Sequence, residues 1–411
     1  MTVGWVGGKE IERPNMPQLD PFLLDWLNLL IRWGHLIAGI SWIGTSFYFV
    51  ALDLSLKKDV ALPKGVAGEA WEVHGGGFYH VQKYLSAPGN LPPHLIWFKW
   101  EAYLTWITGF LLLIAQYYVQ ADTFLIDPSV MPLTQWQATG IAIGSLAAGW
   151  FVYDLICRSP LGRNTGVLAL CVFALIEAAA FGFTHVFSGR GAFIHIGAFI
   201  GTMMAANVFA VIIPNQRKIT ASLLKGETPD PRLGQIGKQR STHNTYLTLP
   251  VLLMMISNHY AFLTGAPAAW ALVGLIILGG GLTRWFLLRH EVGDDLSQIG
   301  WAVPVIGAFL AGALMLTQPQ TKNYAAVKVA DAEVLSIVNT HCTSCHAAAP
   351  TDPTIKQAPK GVIFSSIDDL KRYATQIEAQ AVRNQVMPMG NKTGMTLAER
   401  DKLGAWIAGL K

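Results

Sequence analysis

Eight stretches of predominantly apolar residues, each about as long as a helix that crosses a bilayer core, set the limits on this chain. They fall near 26–50, 102–119, 137–157, 165–184, 191–213, 246–264, 268–288 and 299–317. Composition agrees: 52% of the residues are hydrophobic and only 14% charged, where soluble domains carry roughly a quarter charged residues. The expected fold is therefore all-α: a polytopic membrane bundle of about eight transmembrane helices. The net charge of +4 is diffuse, and no basic run interleaved with aromatics is present. Nucleic acid is thereby excluded as a partner, and membrane lipid is implied.

The loop charges orient the bundle. Lys57, Lys58, Lys64, Lys83 and Lys99 fill the connection 51–101, Arg158 and Arg163 the third-to-fourth connection, and six Lys and Arg the segment 214–245; Arg289 follows the seventh span. By contrast 120–136 and 265–267 have no Lys or Arg, and 185–190 has only Arg190. The positive-inside rule then places the odd-numbered connections in the cytoplasm and both termini outside. Residues 1–25 are a polar N-terminal tail without the short apolar core of a cleaved signal peptide. Insertion is expected to rest on the first span.

Beyond the last span the text changes. Residues 318–325 read as a polar linker between the integral-membrane region, 26–317, and a soluble helical domain, 326–411. That domain holds Cys342-Thr-Ser-Cys345-His346, a C-x-x-C-H run. Two thiols at this spacing bond covalently to haem, and the adjoining His becomes an axial iron ligand. A redox dithiol or half a zinc site is the plainer alternative, but the remaining cysteines, Cys157 and Cys171, lie inside apolar segments. Met387, stiffened by Pro388, is the candidate second ligand, with Met389 and Met395 in reserve. His/Met ligation suits electron transfer. The domain is thus expected to be a small class I cytochrome c on the periplasmic side of a bacterial inner membrane. Val334, Ile337, Val338 and His341 repeat at helical spacing, Ser366 with Asp369 starts a second helix, and Thr396 with Glu399 forms a capping box. About 90 residues make a thin core, so haem is expected to help hold the domain folded.

Polar residues inside spans are costly and point to function. His35, His185, His195 and His259 share the outer level. Small residues follow His35 (Gly39) and His195 (Gly197, Ala198, Gly201), which suits a b-type haem between facing helices. Close helix packing around hydrogen-bonded histidines explains the same pattern. On the inner side, Trp71-Glu72-Val73-His74-Gly75-Gly76-Gly77-Phe78-Tyr79-His80 reads as a Gly-rich stretch that lets backbone approach a ligand between aromatic faces. With Arg240, His243 and Asn244 near it in topology, it suits a planar, hydrogen-bonding anion. An ordinary loop is the alternative. Glu177, mid-membrane, is a candidate proton carrier, and Arg284 is expected to snorkel.

Six runs carry a resemblance: Trp71 to Tyr84, Trp97-Phe-Lys-Trp-Glu101, Tyr153-Asp-Leu-Ile-Cys157-Arg158-Ser159, His195-Ile-Gly-Ala-Phe-Ile-Gly201, Asn207 through Pro214-Asn-Gln-Arg217, and Arg240-Ser-Thr-His-Asn244 into Leu249-Pro250. With the C-terminal domain, the chain resembles the bacterial membrane-bound urate oxidases, or urate hydroxylases. The resemblance implies oxidation of urate to 5-hydroxyisourate in purine catabolism. Electrons would pass to haem c and on to a respiratory acceptor, such as a soluble cytochrome or a terminal oxidase. It carries over no residue-level urate site. Arg240, His243 and Glu177 are thus catalytic candidates from their chemistry alone. Cys342 and Cys345 are candidates for covalent haem c attachment, His346 and Met387 for its iron, and His35, His195 and His259 for a membrane haem. A quinol-to-cytochrome c oxidoreductase, and a membrane anchor or transporter with a tethered electron carrier, remain rival readings.

Overall fold

The computed structural model describes residues 5–6, 9–10, 21–58, 61–84, 92, 94–318 and 328–410. Most of the 318–325 linker and of the N-terminal tail lies outside the described residues. Helix α1, Pro21–Ser55, begins before the first apolar run, with Pro at its first position, where a missing N–H costs nothing. It buries few residues, Ala38 and Leu52 among them, and leaves Phe22, Leu23, Trp26, Leu27, Trp33, Leu36 and Ile40 exposed. A contiguous exposed apolar face of this size marks a surface of interaction.

Helix α2, Trp100–Leu113, runs into a π-turn, Ile114–Tyr118. Helices α3, Gln135–Arg158, and α4, Thr165–Thr184, match the expected spans closely. Capping by Thr134 and Asn164 explains their starts. Helix α5, Gly189–Ala206, is the centre of the bundle. His195, Phe193, Ile196 and Ile200 on it are fully buried, and the helix continues through a π-turn at Asn207–Ile212 to Leu224. Helix α6, Pro231–Ile256, starts fifteen residues before its apolar part, because Asp230 caps it and Pro231 fits its first turn. Helices α7, Ala269–Glu291, and α8, Ala302–Leu316, complete the helical bundle. Five helices among the described residues are long and apolar enough to cross a membrane: Asp25–Ser55, Gln135–Arg158, Thr165–Thr184, Gly189–Leu224 and Ala269–Glu291. Helix α8 is shorter.

The all-α expectation needs one correction. Residues Val66–His74 (β1) and Gly77–Tyr84 (β2) form an antiparallel hairpin. Gly75 and Gly76, both at positive φ, make its two-residue turn, which matches the twist of paired strands. The glycine run is therefore a turn. The hairpin is fastened to the end of α1: Lys57 and Glu69 exchange backbone hydrogen bonds at 2.8 and 3.1 Å, Tyr48 donates to Glu72 at 2.6 Å, and Lys83 pairs with Asp53.

The C-terminal domain has its own core of Val334, Val338, Leu370, Met395, Leu403, Trp406 and Ile407. Helix α9, Asp331–His341, packs on the last helix, α11, Leu397–Ala408, where Trp406 Nε1 donates to Asp331 at 2.7 Å. Ser366 starts α10, Ile367–Arg372, and Thr396 starts α11, each with a complete capping box. This domain sits at the end of the bundle where the three connections poor in Lys and Arg meet. Ser188 donates through N and Oγ to Leu125 and Phe124, both at 2.8 Å, and Lys392 of the C-terminal domain reaches Thr123 at 3.4 Å.

Candidate functional site

Two buried polar clusters lie in the helical bundle, each beside a π-turn, a helix defect that often marks function. The inner one joins α3, α5 and α6. Arg240 is 1% exposed, donates to Asp154 Oδ1 at 2.7 Å, and lies 4.9 Å from the Tyr153 ring centre. Asn207, at the start of the π-turn, donates to Tyr153 Oη and to Asn244 Oδ1, both at 3.0 Å. Tyr153 Oη lies 2.7 Å from His243 Nδ1, and Asn244 donates to the Met204 carbonyl at 3.0 Å. Three buried atoms here have no partner among the described residues: Arg240 Nε, Arg240 Nη1 and Asn207 Oδ1. Leaving such atoms bare is costly. Two charged donors and an amide acceptor on residues that share the Tyr153 side chain form a set that complements a planar anion carrying its own N–H groups.

Arg240 and His243, one turn apart on α6, have Asp154, Tyr153 and Asn207 as companions and not the Gly-rich hairpin. Asp154 and Tyr153 sit 86 and 90 positions from their partners, so no local signal announces the pairing. Glu177 stands apart, half-buried on α4, facing Gly274 of α7 at the glycine's Cβ position (3.0 Å), with Oε2 unpartnered. Arg284 does not snorkel: it is 2% exposed and stacks 3.6 Å over Phe47.

The outer cluster is centred on His195. Its Nδ1–H donates to the Gly191 carbonyl at 2.7 Å, and its Nε2, fully buried, has no partner among the described residues. That is the state of an imidazole ready to ligate a metal or accept a proton. Rings of Phe187, Tyr117, Tyr118 and Phe183 enclose it, at centroid distances from 5.2 to 6.2 Å. Tyr118 Oη and Asn258 Oδ1 are also unpartnered. His35 contacts a different part of α2: its Nδ1 donates to Thr105 O at 3.0 Å, and its ring packs on Gly109. That is about two turns from Tyr117. His259, at the end of the Ser257–His259 turn, is exposed. The three histidines are not gathered at one point.

In the C-terminal domain the chain folds back after His341, with His346 N–H bonded to Cys342 O at 2.8 Å. His346 Nδ1 donates to Val362 O at 2.9 Å, which fixes the ring and leaves Nε2 for iron. Met387 is held from both sides: its N–H bonds to Gln380 O at 3.1 Å, and its carbonyl accepts from buried Arg400 at 2.6 Å. Met395, 2% exposed, is core. Burial pushes the Cys342 thiol up to about 12 and also raises Cys345, opposite to the lowered values of redox C-x-x-C pairs. These residues fit covalent haem c.

The urate oxidase N-terminal family matches residues 21–317. The chain belongs to that family. No curated protein and no solved structure matches it. The match begins at the first residue of α1 and ends just past α8, so both buried clusters lie within the family's domain. An oxidoreductase related to urate chemistry follows, and the helices suit a membrane setting.

Proposed function

We propose that the chain is a membrane-bound urate oxidase that converts urate to 5-hydroxyisourate and passes the electrons to its own haem c. The observation that carries the reading is a set of buried polar atoms around Tyr153, Arg240 Nε and Nη1 and Asn207 Oδ1, without a partner among the described residues, inside a domain of the urate oxidase N-terminal family. Urate at neutral pH is a planar anion with both N–H donors and carbonyl acceptors. Arg240 would hold its charge, Asp154 would fix the guanidinium, and Asn207 would accept from a urate N–H. Urate and water yield 5-hydroxyisourate, two protons and two electrons. His243, steered by Tyr153, is placed to take a proton, and Glu177 offers a second acceptor deeper in the bundle.

Cys342 and Cys345 would hold haem c, with His346 and Met387 as axial ligands. Bound haem c would take electrons one at a time. His195 Nε2 is suited to ligate a b-type haem as an intermediate carrier. The bundle of about eight spans would sit in the bacterial inner membrane with the cytochrome domain in the periplasm. Gathering of the charge-poor connections beside that domain supports this orientation. Electrons would leave to a soluble cytochrome or a terminal oxidase.

Replacing Arg240 with Ala tests the site. The reading expects urate-dependent reduction to fall by at least two orders of magnitude in kcat/KM, with Arg240→Lys restoring little because the planar donor fork is lost. Unchanged kcat/KM in both variants would remove Arg240 from the substrate site. The outer cluster favours a second reading, quinol oxidation beside His195, which predicts reduction by a quinol analogue and not by urate.

A further inference from the structure

The surface of the C-terminal domain that carries Met387 is seated on the membrane region. Gly390 has φ +59, and a Cβ there would lie 2.6 Å from Ile126 O and 3.3 Å from both Asp122 O and Thr123 O. On the other side of the same loop, a Cβ at Gly265 would collide with the Asn384 carbonyl. Only glycine permits backbone to approach backbone this closely. Around these contacts, Lys392 pairs with Asp352 at 2.7 Å and reaches Thr123 Oγ1 at 3.4 Å. Thr123 Oγ1 and Thr354 Oγ1 are 3.5 Å apart. Loop 384–392 is thus gripped by two outer connections.

The 121–126 turn is also the roof of the outer cluster. Phe124 packs on Tyr117 at 6.1 Å, and Tyr117 on His195 at 5.8 Å. From His195 to the residues beside Met387, packed protein is continuous.

We propose that this seam is the face across which the C-terminal domain is reduced, and that it stays closed throughout turnover. The proposal rests on the reading that the domain holds haem c and that urate is the reductant. Each urate, with one water, gives two protons and two electrons. Haem c bound at Cys342 and Cys345 would accept one electron at a time, so the seam would be crossed twice per urate. The respiratory acceptor removes an electron between crossings. Closure fixes the donor-to-acceptor distance, and no swing of the tethered domain is required.

The test is a locked seam in the full-length, haem-loaded protein. Thr123→Cys with Thr354→Cys replaces two facing hydroxyls by thiols, neither of which belongs to a ligand or substrate site. Oxidation should give a disulfide-linked peptide pair in the unreduced digest, a readout independent of activity. Anaerobic reduction of the locked protein by urate should stay within about twofold of the unlocked rate. Absence of the linked pair, or a tenfold or greater loss of rate on locking, overturns the proposal. Gly265→Val provides the converse: a wedge that slows urate-driven reduction at least tenfold, with the haem spectrum and its reduction by dithionite unchanged. An unaltered rate in that variant also counts against the seam. If urate fails to reduce the unmodified protein, the functional reading falls, and the linked peptide still reports separately whether the seam is closed.

Discussion

Arg240 gives one of its three nitrogens to Asp154, at 2.7 Å, and keeps Nε and Nη1 buried without a partner among the described residues. Asp154 also pairs with Arg158 at 2.6 Å, so one carboxylate compensates two guanidinium groups.

Asp154→Ala should therefore destabilise the protein strongly, on the order of 3 kcal/mol, because it leaves a buried charge without compensation. The double variant Asp154→Leu with Arg240→Met should recover much of that loss while abolishing urate turnover. Thermal unfolding in detergent checks both. A double variant less stable than the single one would show that the pair matters for packing rather than for charge.

Arg400 is 4% exposed and donates to the carbonyls of Ala381 and Met387 and to Asn391 Oδ1. Arg400→Leu orphans two carbonyls, a cost of about 2–4 kcal/mol, and loosens the loop that presents Met387. The expected result is a less stable C-terminal domain and a lower haem potential, since methionine ligation raises it. Redox titration decides it, and an unchanged potential would detach Arg400 from the ligand loop.

Glu399, in the C-terminal domain, offers a pH signature. Hydrogen bonds from the Thr396 backbone and hydroxyl, with a contribution from His341, hold its carboxyl at about 2. A depressed carboxyl adds stability that is fully present above its ordinary value near 4.5 and is lost as pH falls through that value toward 2. Thr396→Ala should remove about 1 kcal/mol at neutral pH and flatten the acid side of the stability profile. Parallel profiles for variant and parent between pH 5 and 2 would refute the assignment.

How much of this was legible in the sequence depended on whether the signal was local. Both capping boxes, Ser366 with Asp369 and Thr396 with Glu399, and the repeat Val334, Ile337, Val338, His341 lie within one or two helical turns. Helix α4 occupies 165–184, as its hydropathy suggests. Hydropathy reports contact with lipid and not backbone hydrogen bonding, so the polar half of α6, from Pro231 onward, reads as loop. The β1–β2 hairpin is not legible, because three glycines between aromatics suit a ligand loop as well as a turn. Arg240 and His243 were legible as residue types. Their partners Asp154, Tyr153 and Asn207 are fixed only by the packing of three helices.

His195 separates an internal relay from a direct transfer. With Nε2 bare inside a ring of aromatics, His195→Leu should remove any b-type absorption and slow urate-driven reduction of haem c, leaving dithionite reduction intact. Unchanged b-type bands would take His195 out of the relay.

The most direct measurement is an anaerobic optical spectrum of the detergent-purified protein before and after urate is added. The c-type bands should sharpen to the reduced form, with about two haem equivalents reduced per urate oxidised. Haem that dithionite reduces but urate leaves ferric would overturn urate as the electron donor.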